Sequence, residues 1–266
     1  MGHGNGQPLA GEQLRQFARD GYLVLPALVS DGEVGRARKQ IAALTGEESS
    51  VAVGSGDAVG LPPERTDHPG VARLLHDTPV LGYAAALVGQ PLQLWGLPQI
   101  ATRMPEHEAS KTRQPPHIDG VPVEGSGLDT DTRRLQGFTV LAGVLLTHQP
   151  ADPPSGNLTV WPGSHLRVGR WLADHGPELT DPHDFLDRQL PAIAADGRES
   201  VRIGGQPGDV VFAHYLLIHA AGTNLASQPR LAVFFRLEAQ GRNPSDGSLY
   251  SDPWKEWPTI RQAAVG

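Results

Sequence analysis

The sequence predicts a β-rich α+β fold: a two-sheet sandwich or jelly roll over about 92–240, preceded by a helical part over about 9–90 and interrupted by a helical insert over about 166–190. Three observations lead to it. The 266 residues include 32 Gly and 24 Pro beside many Val, Leu and Thr, a composition that favours turns joining short strands. Helical spacing of apolar residues is concentrated before residue 90. From Leu92 onward, short β-prone runs recur between Gly and Pro turns. The length suits one domain, 1–266, and no internal repeat or linker divides it.

The first element is an amphipathic helix over 9–20, with Leu14, Phe17 and Ala18 on one face and Gly21 where it should stop. Tyr22 to Leu25 reads as a short strand ending at Pro26. Ser30-Asp31-Gly32-Glu33 then resembles an N-terminal capping signal for a second helix to about Leu44. Residues 45–70, rich in Gly, Ser, Pro and Asp, read as a surface excursion, and a helix follows over about 78–88. The strand-like runs are 92–104, 138–147, 157–161, 201–203, 208–213, 217–221 and 230–238. A Gly/Asp/Arg-rich loop at about 120–136 and the insert containing Trp171, Phe185 and Leu186 interrupt them, and either is placed to cover a pocket.

Composition excludes several classes of function. A formal net charge of -7 argues against a broad phosphate-binding surface, so small molecules are expected as partners and nucleic acid is not. With no cysteine, the chain has no disulfide, no thiolate nucleophile and no Cys-held metal; any metal must rest on His, Asp and Glu. Met1 to Gly6 lacks the basic and apolar regions of a signal peptide, and the apolar stretch of 210–222 is broken by His214 and His219 and is too short to span a bilayer. A cytoplasmic protein without membrane attachment is expected.

Gln114-Pro115-Pro116-His117-Ile118-Asp119-Gly120 places an imidazole and a carboxylate two positions apart, on one side of an extended segment. Both can therefore reach one metal, and a third ligand would complete the two-histidine, one-carboxylate set of non-haem iron oxygenases. Alone the pair is weak evidence: with 11 His and 29 acidic residues, about one such pair arises by chance. The stronger pattern lies downstream. Pro207-Gly208-Asp209 launches one strand, His219 lies on the next and Arg230 opens a third. If the last two pair across the turn between them, Arg230 projects toward the cavity of His219. A planar guanidinium there suits a dicarboxylate.

These features, with Phe17-x-x-Asp20-Gly21-Tyr22-Leu23-Val24, Gly156-Asn157-Leu158-Thr159-Val160-Trp161-Pro162-Gly163-Ser164-His165 and the eleven-residue step from His219 to Arg230, resemble the phytanoyl-CoA dioxygenase (PhyH-like) family of iron(II)/2-oxoglutarate oxygenases. The resemblance covers most of the chain. It implies a double-stranded β-helix (jelly roll, cupin-like) with N-terminal and inserted helices packed around it. It implies Fe(II), 2-oxoglutarate and O2 as cofactors and co-substrates, His117, Asp119 and His219 as metal ligands, and Arg230 as the 2-oxoglutarate anchor. Thr139 and Gln99 are candidates for further co-substrate contacts. Two departures stand out: Ile118 occupies a position that is Gln in many relatives, and Arg103 is the nearest basic residue where relatives carry Lys before the motif.

The expected reaction is hydroxylation of an unactivated C–H bond of a small molecule, with a natural-product intermediate preferred, releasing succinate and carbon dioxide. Desaturation, cyclisation or epimerisation by the same oxidative chemistry is the alternative, and a metal-free jelly-roll binding protein is the rival outside enzymology. Asp119 disfavours halogenation, because related halogenases have Gly or Ala there. The absence of His-x-His and His-Glu-x-x-His argues against a cupin-type lyase or a zinc hydrolase. His214 is an alternative ligand to His219, but Arg230 has the family offset only from His219. His165 reads as a structural turn residue, and His107, His148, His175 and His183 as surface groups. Trp95, Trp161 and Trp171 read as core in preference to pocket lining, and Arg133 and Arg134 as solvated loop charges.

Overall fold

The computed structural model describes residues 9–45, 69–105 and 115–263. The expected surface excursion at 45–70 therefore lies almost wholly outside the described residues, as do His107 and Gln114. Helix α1 (Gly11–Asp20) leads into strand β1 (Tyr22–Leu25), and α2 (Asp31–Thr45) follows, close to the bounds the sequence predicts. Two further helices, α3 (Pro69–His76) and α4 (Val80–Val88), precede the sheets. The first of these was not foreseen, because its leading residues merge with the Pro- and Gly-rich stretch before it.

The single run expected at 92–104 is two strands, β2 (Leu92–Leu94) and β3 (Gln99–Arg103). Gly96, at φ 69°, and Pro98 break the run between them. The remaining strands are β4 (Val140–Leu145), β5 (Leu158–Val160), β6 (Val201–Arg202), β7 (Val210–His214), β8 (His219–Ala221) and β9 (Arg230–Ala239). They form a six-stranded antiparallel sheet in the order β1-β7-β4-β9-β2, with β3 also on β9, and a three-stranded sheet in the order β6-β5-β8.

Strand β9 is ten residues long, so one of its edges accommodates β3 opposite Arg230–Phe234 and then β2 opposite Leu237–Ala239. The large sheet is covered on both faces. Val140, Ala142, Val144, Phe212, Val233 and Phe235 pack with α1, α2 and α4 around Phe17, Ile41 and Leu87. The alternate residues Leu141, Leu145, Val211, Ala213, Ala232 and Phe234 join Leu158, Val160 and Ala220 of the small sheet in a second core. Burial on both faces explains why the central strands read as continuous apolar runs without alternation. Each large apolar side chain so buried contributes roughly 1.5–3 kcal/mol relative to exposure.

The insert is helical and longer than expected. It comprises α5 (Ser164–His175), α6 (Pro182–Asp184), a π-helical turn (Phe185–Gln189) and α7 (Leu190–Ala195). Two C-terminal helices, α8 (Ser248–Ser251) and α9 (Pro258–Ala263), were not foreseen. Their segment brings Trp254 and Trp257 against Phe17, at centroid distances of 6.4 and 4.9 Å. That apolar role is invisible in so short and Pro-rich a stretch, because the packing partner lies at the other end of the chain. No helix among the described residues is long and apolar enough to cross a membrane.

Candidate metal centre

The cavity between the two sheets is lined from β3 by Gln99, Ala101 and Arg103, from β9 by Arg230, Phe234 and Arg236, and from the small sheet's side by His117, Asp119, Leu158, His219 and Ala221. Strand alternation sets most of this list, Thr102 of β3 being the exception. Gln99, Ala101 and Arg103 are two apart on β3, as are Phe234 and Arg236 on β9, so each set shares the inward face.

His117 and His219 form an antiparallel bridge, each backbone N–H donating to the other's carbonyl at 2.9 Å. The bridge brings the ring centroids to 4.6 Å. Each ring is oriented the same way: Nδ1 of His117 is 3.0 Å from the Pro115 carbonyl and Nδ1 of His219 is 2.9 Å from the Leu217 carbonyl. A carbonyl only accepts, so both Nδ1 atoms carry the proton and both Nε2 atoms present a lone pair. Asp119, two residues along from His117, places Oδ1 3.8 Å from Nε2 of His219. One donor atom from each of the three residues lies within 4.8 Å of the others, a set that could hold a metal ion.

The turn after Asp119 requires glycine. Gly120 has φ 87°, and a Cβ there would stand 1.9 Å from the Gln136 carbonyl oxygen. The backbone continues from it into the 120–136 loop, tied back by the Gln136 N–H donating to the Gly120 carbonyl at 2.8 Å.

Burial alone would raise the pKa of Asp119, but the Arg236 guanidinium and the two imidazoles outweigh it and hold the carboxyl below the ordinary carboxylate range. Burial, with His117 next in size, pushes His219 down to about 4, so at neutral pH its ring is neutral and able to ligate.

Arg230 is buried, with Nε donating to the Gly156 carbonyl at 2.7 Å and Nη1 to the Ala101 carbonyl at 3.1 Å. Gly156 permits this approach: a side chain there would meet Cβ of Arg103 at 2.8 Å and Cβ of Arg230 at 3.3 Å. Arg103 faces Arg230 in register across β3 and β9, and burial together with this neighbour lowers Arg230 to about 10, still charged at neutral pH. Among the described residues no carboxylate pairs with Arg230, and its guanidinium is placed to take an anion in the cavity.

Gln99 accepts from Nη2 of Arg236 at 3.0 Å and lines the cavity. Thr139 does not line it, and this corrects the expectation: its hydroxyl donates to Glu256 at 3.0 Å and accepts from the Ala239 N–H at 3.0 Å. His214 is buried away from the triad, 2.8 Å from the Pro253 carbonyl through Nε2, and His165 is buried against the Ala18 carbonyl. Ser164 of the same motif accepts from the Ile218 N–H at 2.8 Å and so anchors the approach to His219.

Trp95 packs on Phe138, and Trp171 between His175 and Phe185. Arg134 donates to the Ser245 carbonyl and Arg133 to that of Thr180, so neither is a purely solvated charge.

Arg236 is the residue that sequence reasoning missed. Its Nε donates to Oδ2 of Asp119 at 2.9 Å. Stepping by two from Arg230 along the strand reaches it, a signal that was present but passed over.

A family model described as phytanoyl-CoA dioxygenase (PhyH) matches residues 17–232. No curated protein matches the chain in sequence. Among solved structures, the non-heme alpha-ketoglutarate-dependent carbocyclase SnoK from nogalamycin biosynthesis is 23% identical, with a TM-score of 0.60 and 87% of each chain covered. HygX from Streptomyces hygroscopicus, solved with nickel and 2-oxoglutarate bound, is 22% identical, with a TM-score of 0.57 and 89% of each chain covered. EctD from S. alaskensis, solved with 2-oxoglutarate and 5-hydroxyectoine, is 21% identical, with a TM-score of 0.59, over 88% of this chain and 78% of its own. These likenesses place the chain in the jelly-roll fold.

Proposed function

The chain belongs to the phytanoyl-CoA dioxygenase family of non-haem iron, 2-oxoglutarate-dependent oxygenases, and from that premise we propose that His117, Asp119 and His219 hold the iron and that Arg230 anchors 2-oxoglutarate. The observation that carries this reading is the matched pair of imidazoles, each with Nδ1 tied to the carbonyl two residues before it and Nε2 left to ligate, with one carboxylate between them and Arg236. The donor set fits iron(II): two nitrogens and one oxygen on one side leave the other positions for co-substrate and oxygen. When bound, iron with 2-oxoglutarate and dioxygen supplies the oxidant that removes hydrogen from an unactivated C–H bond, with succinate and carbon dioxide released.

The chain's own residues perform the placement. Arg230, held by two carbonyl oxygens at fixed orientation, offers its remaining N–H groups to the distal carboxylate of 2-oxoglutarate, and Arg103 beside it adds positive charge. Phe234, Leu141 and Leu158 contribute apolar walls that keep water from this end of the cavity.

Hydroxylation of a small-molecule natural product is the outcome we assign. Cyclisation or epimerisation is the second reading, favoured by the fold neighbours SnoK and SnoN, a carbocyclase and an epimerase from nogalamycin biosynthesis. The test is anaerobic titration with iron(II) and then 2-oxoglutarate, reading the visible charge-transfer band of the chelate. Its appearance in the wild type and loss in His219→Ala support the assignment; a folded protein without the band overturns it. Succinate release in a panel of candidate substrates, with mass analysis of the product, then separates oxygen insertion from ring closure and inversion.

A further inference from the structure

Asp119 uses its two oxygens differently. Oδ2 receives Nε of Arg236 at 2.9 Å, while Oδ1 is turned toward Nε2 of His219 at 3.8 Å. The guanidinium that takes Oδ2 has two further neighbours: its Nη2 donates to Gln99 at 3.0 Å, and its Cζ lies 6.0 Å from the Phe138 ring centroid. The Arg236 backbone is held separately, its carbonyl accepting from the Trp95 N–H at 2.8 Å. Gln99 and Arg236 come from adjacent strands of the large sheet, whereas Asp119 follows the segment bridged to the small sheet, so the contact ties the two sides of the cavity together.

Resting on the iron reading above, we infer that Arg236, braced by Gln99, is a positioning residue that holds Asp119 as a one-oxygen ligand. The physical case is a count of coordination positions. Three protein donors would leave three positions on a six-coordinate ion, and a chelating 2-oxoglutarate with dioxygen would need all three. A carboxylate free to swing can bind through both oxygens and take one of them. A charge-assisted bond to Oδ2 opposes that swing, because two-oxygen binding would break it and leave a half-buried guanidinium without its carboxylate. Outer hydrogen bonds of this kind set ligand orientation, and their loss typically lowers metal affinity roughly 10–100-fold.

Arg236 engages Asp119 and Gln99, whereas Arg230 engages the carbonyls of Gly156 and Ala101. The two arginines are six positions apart on β9, roughly 20 Å of extended strand. The two basic residues therefore act on different partners, one on the co-substrate and one on a ligand.

Cobalt(II) tests the inference without turnover. Wild type, Arg236→Met, Arg236→Lys and Gln99→Ala are titrated with cobalt(II) by calorimetry, and the visible d–d spectrum of each loaded protein is recorded. Arg236→Met is expected to bind cobalt roughly 10–100-fold more weakly, with a d–d spectrum altered in shape and intensity. Arg236→Lys, which keeps a cationic donor, should recover most of the affinity and the wild-type spectrum, and Gln99→Ala should show a smaller loss in the same direction.

Wild-type affinity and an unchanged spectrum in Arg236→Met would overturn the inference while leaving the metal site standing. Failure of the wild type itself to bind cobalt would sink the iron reading and this inference with it. Circular dichroism reports whether Arg236→Met folds; if it does not, Gln99→Ala and Arg236→Lys decide the matter on the same readouts.

Discussion

His117 and His219 exchange both backbone hydrogen bonds of an antiparallel bridge although 102 positions separate them, and this one pairing sets two imidazoles side by side with their Nε2 atoms free. In a bridge of this kind the two side chains project from the same face, so no adjustment of loops is needed to converge them. His219→Ala removes one ligand without touching the bridge's backbone bonds. Expected is loss of high-affinity iron(II) or cobalt(II) binding with circular dichroism unchanged; full metal occupancy in the variant by elemental analysis would refute the assignment.

Arg230 is clamped by the carbonyls of Gly156 and Ala101 and offers the rest of its guanidinium to an anion. Replacing it with Leu should weaken 2-oxoglutarate binding to the metal-loaded protein by about 100-fold, the scale for truncating one side of a buried charged pair. Metal affinity measured without 2-oxoglutarate should change far less. Unaltered 2-oxoglutarate affinity in Arg230→Leu, measured by the charge-transfer titration, would place the anchor elsewhere.

Gly120 holds the turn that delivers Asp119, at a φ of 87° and against the Gln136 carbonyl. Gly120→Ala combines left-handed strain with a direct clash, so a cost of about 2 kcal/mol or more is expected. In a chain of this size that lowers Tm by about 4–8 °C, and metal affinity should fall too because Asp119 moves with the turn. A variant with wild-type Tm and affinity would show the loop yielding freely.

Thr139 separates a structural role from a co-substrate role. Its hydroxyl links Glu256 to the Ala239 N–H in the interior, and Arg242 pairs with the same Glu256. Thr139→Ala is expected to cost about 1–3 kcal/mol by leaving buried polar groups short of a partner, with 2-oxoglutarate affinity unchanged. A selective loss of 2-oxoglutarate binding at undiminished stability would return Thr139 to the site.

Two buried histidines outside the metal centre make stability depend on pH. Burial, the largest cause, pushes His165 down to about 3, with Arg167 and Arg198 acting in the same direction and the Ala18 carbonyl opposing. Burial, then His165, and finally Arg242 hold His214 well below its ordinary value against the Pro253 carbonyl. Unfolding restores an ordinary value near 6.5. For His165 the unfolded chain therefore binds more protons throughout the window from about 6.5 down to about 3, and His214 acts in the same direction below about 6.5; stability, complete above that, is lost as pH falls. Each histidine contributes up to about 1.4 kcal/mol per pH unit there. Denaturant unfolding of metal-free protein should show this loss already between pH 6.5 and 5, before ordinary carboxylates titrate, and a flat profile would contradict the neutral, buried assignment.

Much of the molecule was legible from the chain alone, wherever the signal was local. The helix over Gly11–Asp20, the strand over Tyr22–Leu25, the run of short strands after Leu92 and the helical insert follow from period, turn residues and caps within a few positions. Spacing and motif order point to His117, Asp119, His219 and Arg230, and the structure gathers all four around one cavity, although the strands of His219 and Arg230 lie in different sheets and do not pair as the sequence suggested.

What the tertiary structure decided is everything that depends on register between distant segments. Asp119 meets Arg236 across 117 positions, and Thr139 meets Glu256 across the same separation. One pairing brought an unforeseen arginine to the ligand; the other carried a candidate away from the cavity. Sequence period states which residues share a face of their own strand, but not which residue of another segment stands opposite. Packing of the two sheets and of the C-terminal segment against α1 makes that choice, because a shift of one residue would exchange the buried and cavity-facing sides of β9.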